Sequence, residues 1–275
     1  MSGLVLAAPG TANKRVSEAS MLVTGTIVFA PDGSVRSYAL DKPEKLSPAI
    51  KAFVGNTVAA WRFVPVVAGG QPITTQTRMH LRLITAPAED GTYVMRVGGA
   101  SFTGGVPGEH VQSEFEVLRQ VPPKYPPGAL QARVGATVYL AVKVGRQRQV
   151  LEAAAEQVNL DTPGTARQTA GLRDAFAKAS VAAALLRTSP PANSVLPPDD
   201  SYLIARVPVT FSINQPRARA DDDYGRWQPY VPGPRKVVPW LDAAQSATDG
   251  VDTAPQRSVL PLAQGPQLAS PPTRN

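Results

Sequence analysis

The sequence predicts an α+β fold: two tandem β-β-α-β domains followed by a disordered Pro-rich C-terminal tail. Three observations predict it. Alternating apolar residues, bounded by Gly, Pro and Asp, recur in two blocks. Each block holds one apolar stripe at helical spacing, introduced by a Ser-Pro or Thr-Pro pair. Residues 215–275 then carry ten Pro and no apolar periodicity, the composition of a segment that cannot build a core. The predicted division is 1–19, 20–97 (first domain), 98–119 (linker), 120–214 (second domain) and 215–275 (tail).

The first block opens with Met21, Leu22, Val23, Thr24, Gly25, Thr26, Ile27, Val28 and Phe29, which read as a buried strand. Pro31, Asp32 and Gly33 make a turn by composition. Val35, Ser37 and Ala39 alternate with Arg36, Tyr38 and Leu40, a hairpin partner. Ser47 reads as an N-cap with Pro48 at the first helical position. Ile50, Phe53, Val54, Val58 and Trp61 then share one helical face. After Trp61, Arg62, Phe63, Val64 and Pro65, a turn at Gly69 and Gly70 leads to a strand over 75–84. Its Thr77, Met79, Leu81 and Leu83 face a core, while Arg78, His80 and Arg82 face water. Tyr93 to Val97 read as a further strand, and the Gly-rich residues 98–108 as a linker or long loop.

The second block repeats the order. Val138, Leu140, Val142 and Val144 alternate with Tyr139, Ala141 and Lys143 in a strand that ends at Gly145. Residues 150–155 are its partner. Thr162 and Pro163 resemble the cap and first position of a helix whose face carries Leu172, Phe176, Ala179, Ala183 and Leu186. Pro190 and Pro191 stop it. Val207, Pro208, Val209, Thr210, Phe211, Ser212 and Ile213 form the closing strand, and Pro208 marks an edge or a bulge. Leu186, Arg187, Thr188, Ser189 and Pro190 overlay Trp61, Arg62, Phe63, Val64 and Pro65, which reads as an internal duplication. Each sheet hides one face under its helix. The two units therefore pack together, or each dimerises with another copy.

Composition excludes several function classes. The 275 residues contain no Cys and two His. That removes disulfides, thiolate zinc sites, cysteine nucleophiles, iron–sulfur clusters and three-His metal sites. No run of about 18 apolar residues is present to span a bilayer. With 28 Lys+Arg against 21 Asp+Glu, the positive charge is mild and unclustered, unlike that of a nucleic-acid binder. The first residues, with Val5 and Ala7 before Ala8, read as the back half of a secretory signal peptide whose charged start lies upstream.

Nothing in the sequence assembles a catalytic set. His80 lies beside Arg78 and Arg82 on a face expected to be wet, and His110 stands beside Glu109 in a Gly/Pro-rich stretch. No G-x-S-x-G or phosphate-loop motif occurs. Asp221, Asp222 and Asp223 lack calcium-loop spacing. No cofactor and no metal are expected. Tyr224, Trp227, Tyr230 and Trp240 lie among prolines, where they either dock a partner or fold back on a domain. Small β-β-α-β units do expose strand edges, and an edge accepts an extended peptide through main-chain hydrogen bonds.

Tyr125-Pro126, Ala129, Val134-Gly135, an alternating strand to Gly145, a helix and the closing strand with Val209 and Phe211 resemble the C-terminal domain of the TonB family. The first block resembles it through Gly25, Gly33, Trp61, Arg62, Phe63, Pro65, Gly70 and the strand over 77–83. The resemblance covers about 150 of the 275 residues. It implies two tandem TonB-C-terminal-like domains in the Gram-negative periplasm that bind extended peptides of outer-membrane TonB-dependent receptors by strand addition. The segments it places nearest such a peptide hold Pro123, Lys124, Tyr125, Pro126, Val207, Val209, Phe211 and Ile213. Departures stand beside it. Pro122-Pro123 replaces the family's Gln-Pro, Leu186 and Thr188 replace the aromatic pair, the first block lacks Tyr-Pro, and no membrane helix precedes the domains. The expected function is a non-enzymatic, protein-binding accessory or adaptor in TonB-type transport. The alternatives are an energy transducer whose anchor lies upstream, and an exported hydrolase built around His80 or His110.

Overall fold

The computed structural model describes residues 18–88, 92–104, 123–145, 149–186, 202–213, 223–242, 250–256, 258, 260–262 and 265–269. Residues 1–17 of the segment 1–19 expected as a signal remnant or disordered, His110 and residues 187–190 of the duplication overlay lie outside these, while Glu18 and Ala19 open β1. The chain runs β1 (Glu18–Phe29), β2 (Val35–Leu40), α1 (Pro48–Ala59), β3 (Val67–Ala68), β4 (Gln71–Pro72), β5 (Thr75–Pro87) and β6 (Tyr93–Thr103). It continues with α2 (Pro127–Gln131), β7 (Ala136–Gly145), β8 (Val150–Leu160), α3 (Ala166–Leu185), β9 (Tyr202–Phe211), β10 (Gln228–Tyr230) and β11 (Leu260–Pro261). The fold is mixed and sheet-rich, as an α+β protein should be.

The two units share one strand order. In the first, β1 pairs with β2 on one edge and β5 on the other, and β6 follows β5. In the second, β7 pairs with β8 and β9, and β11 follows β9. Every ladder is antiparallel. Each unit thus sends its third strand, after the helix, to the free edge of its first strand.

The first hairpin turns at Gly33, which has φ 81°. A Cβ there would strike the backbone carbonyl of Phe63, so only glycine fits. Ser47 caps α1 by accepting from the Ile50 amide at 3.3 Å, with Pro48 in the first turn. Ile50, Val54 and Val58 are buried against Met21, Val23, Ile27, Phe29, Met79, Leu81 and Leu83. Trp61 and Phe63 join this core. Phe63 stacks on Phe29 at 4.4 Å, and Trp61 meets Phe102 edge-on at 5.5 Å. Arg62 and Pro65 of the same motif are exposed.

In the second unit, Phe176, Ala177 and Ala184 of α3 pack on Val138, Leu140, Val142, Val207, Val209 and Phe211. Small residues on the helix let it approach the sheet closely. Its N-cap is Thr165, three residues past the expected Thr162. Thr165 and Gln168 form a reciprocal capping box that Thr162-Pro163 cannot offer.

Three expectations are corrected. The predicted linker start at residue 98 is at least six residues too early, because β6 runs through Thr103. Gly98 and Gly99 are strand residues. Gly98 sits at a bulge opposite Arg82 and Leu83, where a Cβ would strike the Ile84 side chain. The 78/80/82 face of β5 is largely covered: His80 is 2% exposed and the Arg82 side chain 12%, while Arg78 stays partly exposed beside Asp41. The described part of the tail is not disordered. Tyr230, Val238, Leu241, Val251, Ala254 and Leu260 are buried. They cover the helix-free faces of the sheets, in small clusters with Tyr139 and with Ala141. No helix among the described residues is long and apolar enough to cross a membrane.

Candidate strand-docking edge

β9 is the closing strand of the second unit, and its side chains are committed to the core. Val207, Val209 and Phe211 are buried under α3. Tyr125 packs edge-on against Phe211 at 5.5 Å and Phe176 at 5.8 Å. Its hydroxyl donates to the Val134 carbonyl at 2.7 Å. Pro126 is buried and precedes α2, a short helix absent from the sequence reading. The Tyr-Pro pair therefore clasps the entry of β7 to the core. Of the eight residues expected to meet a partner, Lys124 is exposed and Pro123, Tyr125 and Ile213 are half-buried. What β9 can offer a partner is backbone.

One edge of β9 is paired with β7 along its length. The other holds β11, with Leu260 opposite Arg206 and Pro261 opposite Ala205. The Leu262 amide donates to the Ile204 carbonyl at 2.8 Å. Antiparallel pairing alternates. Ile204 and Arg206 therefore turn their backbone groups to β11, and Pro208 and Thr210 point theirs to the same side. Among the described residues no strand pairs with this side of 207–212. Pro208 has no N–H to give there, so the reading of Pro208 as an edge marker holds.

Beneath β11 lies a buried ion pair. Arg206 Nε and Glu156 Oε2 are 2.6 Å apart, a second nitrogen reaches Oε1 at 2.9 Å, and both side chains are 2% exposed. Glu156 is the bulge residue of β8, between the pairs Tyr139–Gln157 and Leu140–Ala155. The bulge aims its carboxylate across β7 at β9. The Lys236 amide donates to the Glu156 carbonyl at 2.7 Å, so the C-terminal segment lies over the pair.

A second polar centre ties that segment to both units. Asp252 is 5% exposed. Its Oδ2 accepts from Tyr230 at 2.6 Å and from Asn159 at 3.0 Å, and lies 3.9 Å from Arg82 Nε. The guanidinium of Arg82 donates to the Asp252 carbonyl, to Ser20 and, at 2.9 Å, to the Tyr139 hydroxyl. Arg82 and Ser20 belong to the first unit, Tyr139 and Asn159 to the second. Burial pushes the Tyr139 hydroxyl up to about 12, and it raises Tyr230 too, helped by Asp252. Burial alone would lower Arg82; Tyr139, Asp252 and Tyr230 outweigh it and raise it. Tyr139, Tyr230 and Arg82 therefore keep their protons at neutral pH. The centre is structural, and the sequence hid it because Asp252 and Tyr230 lie in a segment with no periodicity.

Among the described residues, His80 is the remaining buried titratable group. Its Nε2 lies 3.3 Å from Thr103 Oγ1, and Nδ1 has no hydrogen-bond partner among the described residues. Burial, seconded by Arg78 and opposed by Asp41, lowers its pKa to about 4. It is neutral and enclosed; among the described residues no group of three His, Asp or Glu could hold a metal ion. No family model, curated protein or solved structure matches the chain.

Proposed function

We propose that the chain is a TonB-like protein-binding module of the cell envelope, an accessory or adaptor in TonB-type outer-membrane transport. It works in the periplasm, without a catalytic step, and takes an extended peptide as an added strand. One observation carries this reading: the edges of the units already hold extended chain. β10 pairs with β1, β11 pairs with β9, and Leu268 bridges to Phe63. The repeated strand order supports it, since the outer edge of each third strand takes up further chain, β6 along β5 and β11 on β9. A photocrosslinker tests it. The chain has no Cys, so Thr210→Cys gives a unique attachment point at the exposed stretch of β9. In envelope preparations the reading expects adducts to an extended segment of an outer-membrane receptor, identified by mass spectrometry. Adducts no more abundant than those from Arg167→Cys on the exposed face of α3 would contradict it.

A further inference from the structure

We propose that the outer edge of β9 is a site for an extended peptide of the pattern apolar–Pro–apolar, and that Leu260, Pro261 and Leu262 are its resident, displaceable occupant. This rests on the strand-addition reading above and specifies its ligand.

The occupant shows what the site accepts. Leu260 is 7% exposed and packs with Tyr139, Val251 and Ala254. Leu262 packs beside Ala141, Val238 and Leu241. Two residues apart on a strand, they share one face. Pro261 lies between them at a position whose backbone groups turn away from β9. Its missing N–H therefore costs the pairing nothing. On the far side it leaves the new edge without a donor, so β11 closes the sheet rather than extending it.

Among the described residues, the occupant also leaves part of the edge unpaired. Continuing the antiparallel register would lay Ser258 beside Pro208 and Gln256 beside Thr210. The chain turns instead: the Ser258 amide donates to the Pro255 carbonyl at 3.1 Å, and the Ser258 hydroxyl to the same oxygen at 2.7 Å. A separate peptide need not make that turn. It can run on past Pro208 and pair with Thr210, gaining main-chain hydrogen bonds that the resident strand forgoes. Against it stands the tether, which holds the resident strand at an effective concentration on the order of millimolar.

The test uses a disulfide lock. Ala205 and Pro261 face each other as a pair without mutual hydrogen bonds, a spacing of about 4.5 Å between Cα atoms that suits a disulfide. Ala205→Cys/Pro261→Cys in the Cys-free chain is locked when oxidised and open when reduced. The probe is a fluorescein-labelled peptide with the sequence of residues 256–268, read by anisotropy. The reduced form should bind it, and oxidation should weaken binding roughly tenfold or more by removing the vacated edge. Equal binding in both forms overturns the proposal while leaving strand addition at another edge intact. No binding to the reduced form overturns the proposal and the strand-addition reading at β9 together. A concentration-dependent dimer that the lock abolishes would name a second copy as the occupant and overturn the external peptide. The unaltered protein gives a check that does not need the variant to fold. The amides of Ile204 and Arg206, which face β11, should exchange with solvent about tenfold or more faster than those of Ala205 and Val207, which face β7. Equal rates overturn displaceability.

Discussion

Replacing Asp252 by Ala probes the centre that holds the C-terminal segment against both units. The carboxylate is 5% exposed and accepts from Tyr230 at 2.6 Å and Asn159 at 3.0 Å, with Arg82 Nε at 3.9 Å. A hydrogen bond to a charged group contributes about 1.5–3 kcal/mol, and removing one partner of a buried ion pair costs about 3–5 kcal/mol. These overlap, because the same desolvated groups are counted in both, so the expected loss is about 4 kcal/mol rather than the sum. Arg82 keeps its bonds to the residue-252 carbonyl, Ser20 and Tyr139, which sets the upper bound. At roughly 2–4 °C per kcal/mol for a chain of this size, the melting temperature falls by about 8–16 °C. Urea unfolding followed by circular dichroism and Trp fluorescence measures it. The wild type should unfold in one transition and Asp252→Ala in two, as the units lose their tie. A loss below about 1 kcal/mol, the size of an ordinary surface substitution, would refute the assignment of Asp252 as that tie.

Three further outcomes follow from the same geometry. Trp61→Ala should cost about 3–5 kcal/mol, since Trp61 is 6% exposed in the first core; an unchanged urea midpoint would make it a surface anchor. Glu156→Ala should cost about 3–5 kcal/mol by stranding Arg206, whereas Glu156→Leu with Arg206→Met should come within about 1 kcal/mol of wild type; a double variant as unstable as the single would show that the pair itself is required. His80 has its pKa lowered to about 4 by burial, against about 6.5 unfolded. Between those values the unfolded state binds the extra proton, so the stability His80 gives above pH 6.5 is lost as pH falls towards 4, by about 3 kcal/mol. Asp41, held low by Arg78 and Thr24 against burial, loses stability in the same direction. The difference in urea midpoint between wild type and His80→Gln at pH 7 and pH 4.5 isolates the His; equal slopes would refute its neutral burial.

Elements with periodicity were legible, and contacts made by aperiodic chain were not. The alternation of Val138, Leu140 and Val142 and the helical stripe of Ile50, Val54 and Val58 predict a strand and a helix because each buries one face. Ser47-Pro48 predicts a start because cap and ring act locally. Thr162-Pro163 misleads because a capping box three residues on satisfies more of the helix's free amides. His80, Arg78 and Arg82 alternate with core residues and so read as wet, yet what covers that face is a stretch of chain more than a hundred residues away. That stretch is Pro-rich and extended. It takes its hydrogen bonds from the edges of other strands, so its apolar residues follow the spacing of those edges and leave no period of their own. For the same reason the side chains of Val207, Val209 and Phe211 belong to the core, with Tyr125 packed half-buried against them, and what β9 has at its outer edge is main chain that no residue type announces.

Acceptance of extended chain at sheet edges is the claim on which the functional reading stands, and amide hydrogen exchange of the full-length protein tests it most directly. The Val231 amide donates to the Leu160 carbonyl at 2.9 Å, and the Lys236 amide to the Glu156 carbonyl at 2.7 Å. Both should exchange roughly a thousandfold more slowly than in an unstructured peptide, in step with the strands they pair with. Exchange of both at the unstructured rate, with β7 and β8 fully protected, would mean that the segment does not dock, and would contradict the account.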